Sequence, residues 1–214
     1  MTAEHEKRSA AETAADLVDD GMSVGLGTGS TVADFLSALA ARKLDLRCVA
    51  TSLRTEQAAA KLGLPVEPFD RLDRLDIAVD GADQIAPDGW IVKGGGGAHT
   101  REKIAAAAAS RFVVIASSDK LVERIAPPVP LELSPYGLAA TLRVLGEATL
   151  RNAPPSPDGG FIADYLGPVD DPAALAATLD ATPGIVAHGL FEPALVSLVL
   201  VGRGDTVERI TFGI

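Results

Sequence analysis

Short, wholly apolar runs alternate with helical stretches along the first half of the chain, and glycine loops join several of them. Residues 4 to 19 are alanine-rich, and Ala11, Ala14, Ala15 and Val18 recur at helical spacing, so a first helix is expected there, closed by Gly21. Met22–Leu26 reads as a strand, GTGST at 27 to 31 as a loop, and Val32–Ala41 as a helix with Val32, Phe35, Leu36 and Leu39 on one face. The pattern repeats with a strand at Leu46–Ala50, Ser52 as N-cap, a helix over Leu53–Leu62 and Gly63 as its stop. Ile77–Val79 is a strand ending in Asp80, Trp90–Val92 an edge strand or hairpin arm after the turn pair at 88 to 89, and Thr100–Ser110 a helix before the strand Phe112–Ala116. Strands that are apolar on both faces belong to parallel sheets covered on two sides, so the expected class is α/β.

Near residue 126 the rhythm changes. Pro127, Pro128 and Pro130 mark a stiff crossing. Beyond it come a strand at Leu131–Leu133, a helix over 137 to 149, a turn at 154 to 160, a strand at Phe161–Leu166, a helix near 172 to 179 and a strand at Ile185–His188. With a further short strand at 151 to 153 the order is β-α-β-β-α-β, which is ferredoxin-like. Val196–Val201 and Val207–Phe212, joined by GRGD, form a terminal strand pair able to rejoin the first sheet. The expected domains are 1 to 128, completed by 202 to 214, and a smaller one over 129 to 201.

A length of 214 residues is enough for one substantial core with a satellite domain. The formal charge of -10 argues against wholesale neutralisation of nucleic-acid phosphates, while leaving a small anionic substrate open. No stretch approaches the 18 apolar residues of a membrane span, and the start of the chain has no apolar signal core. Cys48 is the single cysteine, which excludes an intramolecular disulfide framework and fits a cytoplasmic setting.

Three glycine-bearing motifs concentrate the chemistry. GTGST sits between a strand and a helix, where backbone N–H groups and the hydroxyls of Ser30 and Thr31 can surround an anion; a plain connecting turn is the alternative. It lacks the P-loop lysine and the dinucleotide spacing, so neither ATP nor NAD is indicated. DGAD places Asp80 and Asp83 at the end of an apolar strand, suited to sugar hydroxyls or a divalent ion, or to simple turn capping. KGGGG at 93 to 97 is entropically expensive, and brings backbone close to a ligand with Lys93 as electrostatic partner. Glu102 follows in the first turn of a helix, where it serves either the helix dipole or base catalysis. Lys7, Arg101 and Lys120 are candidates for phosphate neutralisation, and His5, His99 and His188 lack a metal-binding spacing.

Taken together, GLGTGST (25 to 31), VDGAD (79 to 83), KGGGGAHTREK (93 to 103) and ASSDK (116 to 120) resemble the type A ribose-5-phosphate isomerase family. The resemblance extends to the lysine near the start and to PGIVAHGLF at 183 to 191. It implies a Rossmann-like, mostly parallel sheet domain with a smaller ferredoxin-like domain, a phosphosugar substrate, no metal or organic cofactor, and a homodimer or tetramer. It places the general base on Glu102 and the polar active-site group on Asp80, Asp83 and Lys93. Phosphate binding falls on Lys7, Ser30, Thr31 and Lys120, with Thr28 and Gly29 shaping the first loop and Gly94, Gly95 and Gly96 the second. The chain departs from the family pattern at Gln84 (usually glutamate), at His99 (usually apolar), at Ser156–Gly159 (usually Thr-Asp-Asn-Gly) and at Val196–Ser197 (usually Ala-Asp).

The reaction so implied is aldose–ketose isomerisation through a cis-enediolate. Asp80 assists ring opening, Glu102 moves a proton from C2 to C1, Lys93 and the Gly94–Gly96 amides stabilise negative oxygen, and Asp83 orients a hydroxyl. Two competing readings are a non-catalytic phosphosugar-binding module and a related sugar-phosphate or acyl-transferring enzyme. The chain has no basic helix-turn-helix beside the core, and it retains the would-be base.

Overall fold

A computed structural model describes residues 2–212. In chain order the elements are α1 (Ala3–Ala15), β1 (Ser23–Leu26), α2 (Ser30–Ala41), β2 (Arg47–Ala50), α3 (Leu53–Lys61), β3 (Ile77–Gly81), β4 (Gln84–Ile85), β5 (Ile91–Val92), α4 (His99–Ala108) and β6 (Phe112–Ser117). They continue with β7 (Val129–Leu133), α5 (Leu138–Leu145), β8 (Ala148–Leu150), β9 (Phe161–Tyr165), α6 (Pro172–Asp180), β10 (Ile185–His188), β11 (Leu190–Phe191), β12 (Leu198–Arg203) and β13 (Thr206–Ile210). Two compact units result. Unit one takes the chain through Ala82, Arg101–Lys120 and the segment from Ala194; unit two takes Asp83–Thr100 and Leu121–Pro193.

Unit one is built on a six-stranded sheet of order β13-β12-β6-β3-β1-β2, parallel except for β13. β6 is buried along its whole length, as a central parallel strand should be. Val32, Phe35, Leu36 and Leu39 of α2 and Ala10, Ala11, Ala14 and Ala15 of α1 join Val24, Leu26, Ile77, Val79, Val113 and Ile115 in one core. The alanine face lets α1 lie close, while each large side chain contributes about 1.5–3 kcal/mol by leaving water. α1 ends at Ala15 rather than near 19, yet Val18 stays fully buried beyond it. The sheet order reverses around β1: the chain leaves β1 toward β2 on one side and later returns as β3 on the other. The carboxyl ends of β1 and β3 therefore open a crevice of the kind that binds ligands in such sheets.

Unit two holds a four-stranded antiparallel sheet of order β10-β7-β9-β8 with α5 and α6, the ferredoxin-like arrangement. Its core includes Val129, Leu131, Leu133, Ala163, Ala176 and Leu179. The second strand of this sheet in chain order differs from expectation. Gly146, at φ 68°, stops α5 early, and β8 falls at Ala148–Leu150 because Pro154 and Pro155 remove ladder donors just beyond 151 to 153. Unit two also contains a small sheet of order β11-β5-β4.

The division of the chain differs from the one read off the sequence. Residues 83 to 100 belong to unit two, and β12 lies in the sheet of unit one, paired in parallel with β6 from Leu198↔Val113 onward, so the return to unit one begins at Ala194 and not at 202. β12 is fully apolar up to Val201 because it is a covered parallel strand. Among the described residues, no helix is long and apolar enough to cross a membrane.

Candidate active site

In unit one, the GTGST loop leaves β1 pressed against β3. Gly27 N donates to Val79 O at 3.0 Å, and a Cβ at Gly27 would lie 2.1 Å from the Asp80 carboxyl carbon, so only glycine fits. The Asp80 side chain, 2% exposed, turns back on this loop: its Oδ1 accepts Thr28 N at 3.0 Å and Gly81 N at 2.7 Å. Thr28 thus joins Asp80 directly. Its hydroxyl lies 2.9 Å from those of Thr51 and Ser52 and 3.3 Å from that of Thr55, while Thr55 Oγ1 donates to Gly27 O at 2.8 Å. Sequence reasoning saw Ser52 only as a cap and gave Thr51 and Thr55 no part. The signal available was a cluster of hydroxyls, TSLRT, directly after a strand.

Gly29, at φ 141°, caps α2 without a side-chain acceptor, so the first amides of α2, with the Ser30 and Thr31 hydroxyls, remain available to an anion. The candidate phosphate lysines sit on other segments of the same unit. Lys7 Nζ lies 2.7 Å from Glu4 Oε1, and Lys120 Nζ 3.4 Å from Asp119 Oδ2. Their two segments are joined by Glu6. Its Oε2 accepts Ser118 N at 2.9 Å and Ser118 Oγ at 2.7 Å, and its Oε1 accepts Gly204 N at 3.1 Å. The Ser118 N–H, then the Ser118 hydroxyl and the Gly204 N–H, hold the Glu6 carboxyl below its ordinary value. Glu102 is 3% exposed in the first turn of α4, next to buried Ala105 and Ala106. Cys48 is a buried core thiol, pushed up to about 12 chiefly by burial.

In unit two, the chain turns sharply after β5. Gly94 adopts φ 107° and Gly97 φ 72°, with Gly97 N donating to Gly94 O at 3.0 Å. A Cβ at Gly94 would lie 2.7 Å from His99 Nδ1, which gives the fully buried His99 its place: it packs beneath the glycine turn. Gly95 and Gly96 are exposed. Asp83 Oδ2 accepts Gly95 N at 2.8 Å, bringing two of the expected site residues together. Lys93 is 3% exposed, with its ammonium 5.6 Å from the centre of the Phe191 ring. Its amide donates to Gly189 O at 2.9 Å, and a Cβ at Gly189 would meet Lys93 O at 2.1 Å, so the HGLF segment is fitted to the strand carrying the lysine.

Further contacts in unit two account for residues that depart from the family pattern or were not singled out. Gln84 Nε2 donates to Ala126 O at 2.7 Å while its Oε1 accepts Ala126 N at 2.9 Å, a two-way match that an ionised carboxylate cannot make. The buried Glu132 carboxylate accepts the hydroxyls of Thr100 and Ser156, and Ser156 Oγ in turn accepts Gly160 N at 3.1 Å. Arg151, just after β8, forms a fork with Asp164 on β9 and also donates to the carbonyls of Gly94 and Gly95. Asp164 raises the Arg151 pKa, through the hydrogen bond first. Back in unit one, Ser197 Oγ accepts Phe112 N at 3.1 Å, anchoring the start of β6. Among the described residues, no group of three or more His, Cys, Asp or Glu side chains is gathered to hold a metal ion.

Residues 47–206 match the family model described as Ribose 5-phosphate isomerase A (phosphoriboisomerase A). A ribose-5-phosphate isomerase A of Roseiflexus castenholzii is 45% identical over 219 residues, covering 94% of this chain and 94% of that protein. The crystal structure of ribose 5-phosphate isomerase A from Neisseria gonorrhoeae superposes with a TM-score of 0.94 at 30% identity, covering 100% of this chain and 99% of that one. The structure of the Methanocaldococcus jannaschii enzyme gives 0.92 at 34% identity, over 98% of this chain and 100% of that one. With nearly full-length matches in sequence and in fold, the chain belongs to the ribose 5-phosphate isomerase A family.

Proposed function

We propose that Glu102 is the carboxylate that carries hydrogen between C2 and C1 in the reaction of this family. That reaction is the interconversion of D-ribose 5-phosphate and D-ribulose 5-phosphate through a cis-enediolate. Glu102 takes the C2 proton, the C–H electrons form the C1=C2 bond, and negative charge gathers on O1. The same carboxyl returns the proton to C1 while the O2 proton passes to O1, leaving the ketone at C2. Asp80 assists ring opening, and Asp83 orients a sugar hydroxyl. Lys93 and the backbone donors around Gly94–Gly96 stabilise the developing oxyanion, the Gly95 amide acting through the Asp83 carboxylate that it holds. Thr28, Gly29, Ser30, Thr31, Lys7 and Lys120 hold the phosphate end, which spends binding energy on orientation.

The observation that carries this reading is the burial of Glu102, at 3% exposure, in the first turn of the helix that directly follows the glycine loop. The helix dipole supplies at most about 2 kcal/mol even in a partly buried geometry, too little to offset the desolvation of a buried carboxylate, so the dipole alone does not account for this placement. Glu102→Gln tests it. We expect kcat to fall by about two to four orders of magnitude with binding of a phosphosugar retained. Turnover within tenfold of the parent would remove Glu102 from the role. Release of deuterium from C2 of labelled ribose 5-phosphate distinguishes this enzyme from a phosphosugar-binding module, which would release none.

Two further attributes belong to the same reading: a homodimer and a cytoplasmic setting. Tyr136, 92% exposed, and Val144, 65% exposed, give unit two an apolar surface that supports self-association. The single, buried thiol supports a reducing compartment. Light scattering on the eluting protein should give twice the 22.0 kDa chain mass, and a monomer overturns the dimer.

A further inference from the structure

We propose that Arg151 is a positioning residue for the isomerisation: by holding the carbonyls of Gly94 and Gly95, it seats the Gly95 amide on Asp83 and aims the Gly96 amide that serves as oxyanion donor. The proposal rests on the glycine-loop role given above and extends it to a side chain 57 positions away.

Four consecutive glycines have no conformational preference strong enough to order themselves, so the directions of their amides must be imposed from outside. A trans peptide is planar, with its C=O and the following N–H pointing in opposite directions, so fixing one fixes the other. Arg151 Nη1 donates to Gly94 O at 2.9 Å and to Gly95 O at 3.1 Å. The first bond turns the Gly95 N–H toward the far side of its peptide, where Asp83 Oδ2 receives it at 2.8 Å. The second turns the Gly96 N–H away from the guanidinium, at a residue that is exposed.

The guanidinium can impose these directions because it is itself held. Nε and Nη2 donate to the two Asp164 oxygens at 2.7 and 2.6 Å, and the Arg151 amide donates to Ile162 O at 2.9 Å. Both side chains are only 21% exposed. The planar fork serves a carboxylate and two carbonyls at once from fixed directions; a lysine ammonium cannot serve all four bonds in this geometry. The guanidinium bonds go to Asp164 and to the two loop carbonyls, so the expected effect of Arg151 runs through the loop and falls on the step in which charge develops.

The test compares Arg151→Ala and Arg151→Lys with the parent in a coupled assay of ribose 5-phosphate isomerisation, alongside hydrogen exchange of the 93 to 98 segment. For the alanine variant we expect kcat to fall about tenfold to a hundredfold. KM should stay within about threefold, and exchange across the glycines should quicken. Added guanidinium ion should restore part of kcat in Arg151→Ala and none in the parent. Should the alanine variant not fold, Arg151→Lys decides the matter, with kcat expected to drop at least about fivefold. Variants that keep kcat within twofold, or that raise KM alone, overturn the proposal. A parent that does not isomerise the sugar overturns the functional reading instead; the exchange measurement then still judges the hold on the loop, and unchanged exchange refutes it.

Discussion

Replacing Gly27 by alanine tests the closest approach in unit one. The added Cβ would stand 2.1 Å from Asp80 Cγ, 2.2 Å from Oδ1 and 2.6 Å from Asp80 Cβ, so the carboxylate must retreat by more than ~1 Å to reach ordinary contact. Such a shift breaks the bonds that Oδ1 accepts from Thr28 N at 3.0 Å and Gly81 N at 2.7 Å. Overpacking costs about 1–3 kcal/mol, and each hydrogen bond to a charged group about 1.5–3 kcal/mol. Allowing for partial relaxation, Gly27→Ala should destabilise by about 3–5 kcal/mol, a Tm fall of roughly 10 °C at this chain length. Gly63→Ala is the control. Gly63 sits at φ 79° with nothing within 4 Å of the added Cβ, so only left-handed strain of about 1–2 kcal/mol applies. Urea unfolding followed by circular dichroism measures both, and the isomerase assay should show Gly27→Ala losing more kcat than its stability loss explains. In an Asp80→Gly background, which removes all three clashing atoms, the added cost of Gly27→Ala should drop below about 1 kcal/mol. A loss under 1 kcal/mol in the parent background, or an undiminished loss without Asp80, would refute the reasoning.

Gln84→Glu restores the residue usual in the family but sets a carboxylate against Ala126 O, and should cost about 1–3 kcal/mol in urea unfolding unless the pH is low enough to protonate it; an unchanged midpoint at neutral pH would show that the amide pairing contributes nothing. Glu6, with its native pKa depressed, contributes stability that is complete above the ordinary carboxyl value of 4.5 and is lost as pH falls through the lower native value. The Tm gap between the parent and Glu6→Gln should therefore be widest near neutrality and close on acidification below pH 4.5, and a gap that grew with acid would reverse the assigned sign.

What could be read from the sequence was whatever repeats locally. The inner strands of the large sheet announce themselves because burial on both faces keeps their central residues apolar, and GTGST, DGAD and KGGGG mark the loops because glycine is costly without a geometric need. Of the β11-β5-β4 sheet only β5 is legible, as the edge strand or hairpin arm at Trp90–Val92; β4 and β11 are two residues long, too short for any periodicity. The pairing of β12 with β13 and their return to the first sheet are legible, but the sequence puts the domain boundary at 202 instead of 194 for the opposite reason: a wholly apolar strand fits any covered sheet, and only its pairing with β6 decides. The supports of the candidate site are the least legible. Glu6 meets Ser118 across 112 positions, Arg151 meets Gly94 across 57, and Gln84 meets Ala126 across 42. Each is an ordinary polar residue whose partner is known only once the chain has folded. The neutrality of Gln84 has no local explanation and rests on its two bonds to the N–H and C=O of one residue, Ala126.

The chain passes from one unit to the other four times, after Ala82, Thr100, Lys120 and Pro193. Neither unit is a single stretch of gene. A cut at the proline-rich segment, the obvious place to split the protein for expression or recombination, would strip β12 and β13 from the large sheet and strand residues 83 to 100 without their partners. A crossover between two homologues that aims to trade the smaller unit intact therefore needs breakpoints at all four passages, and one that uses a single breakpoint inherits a mosaic of both.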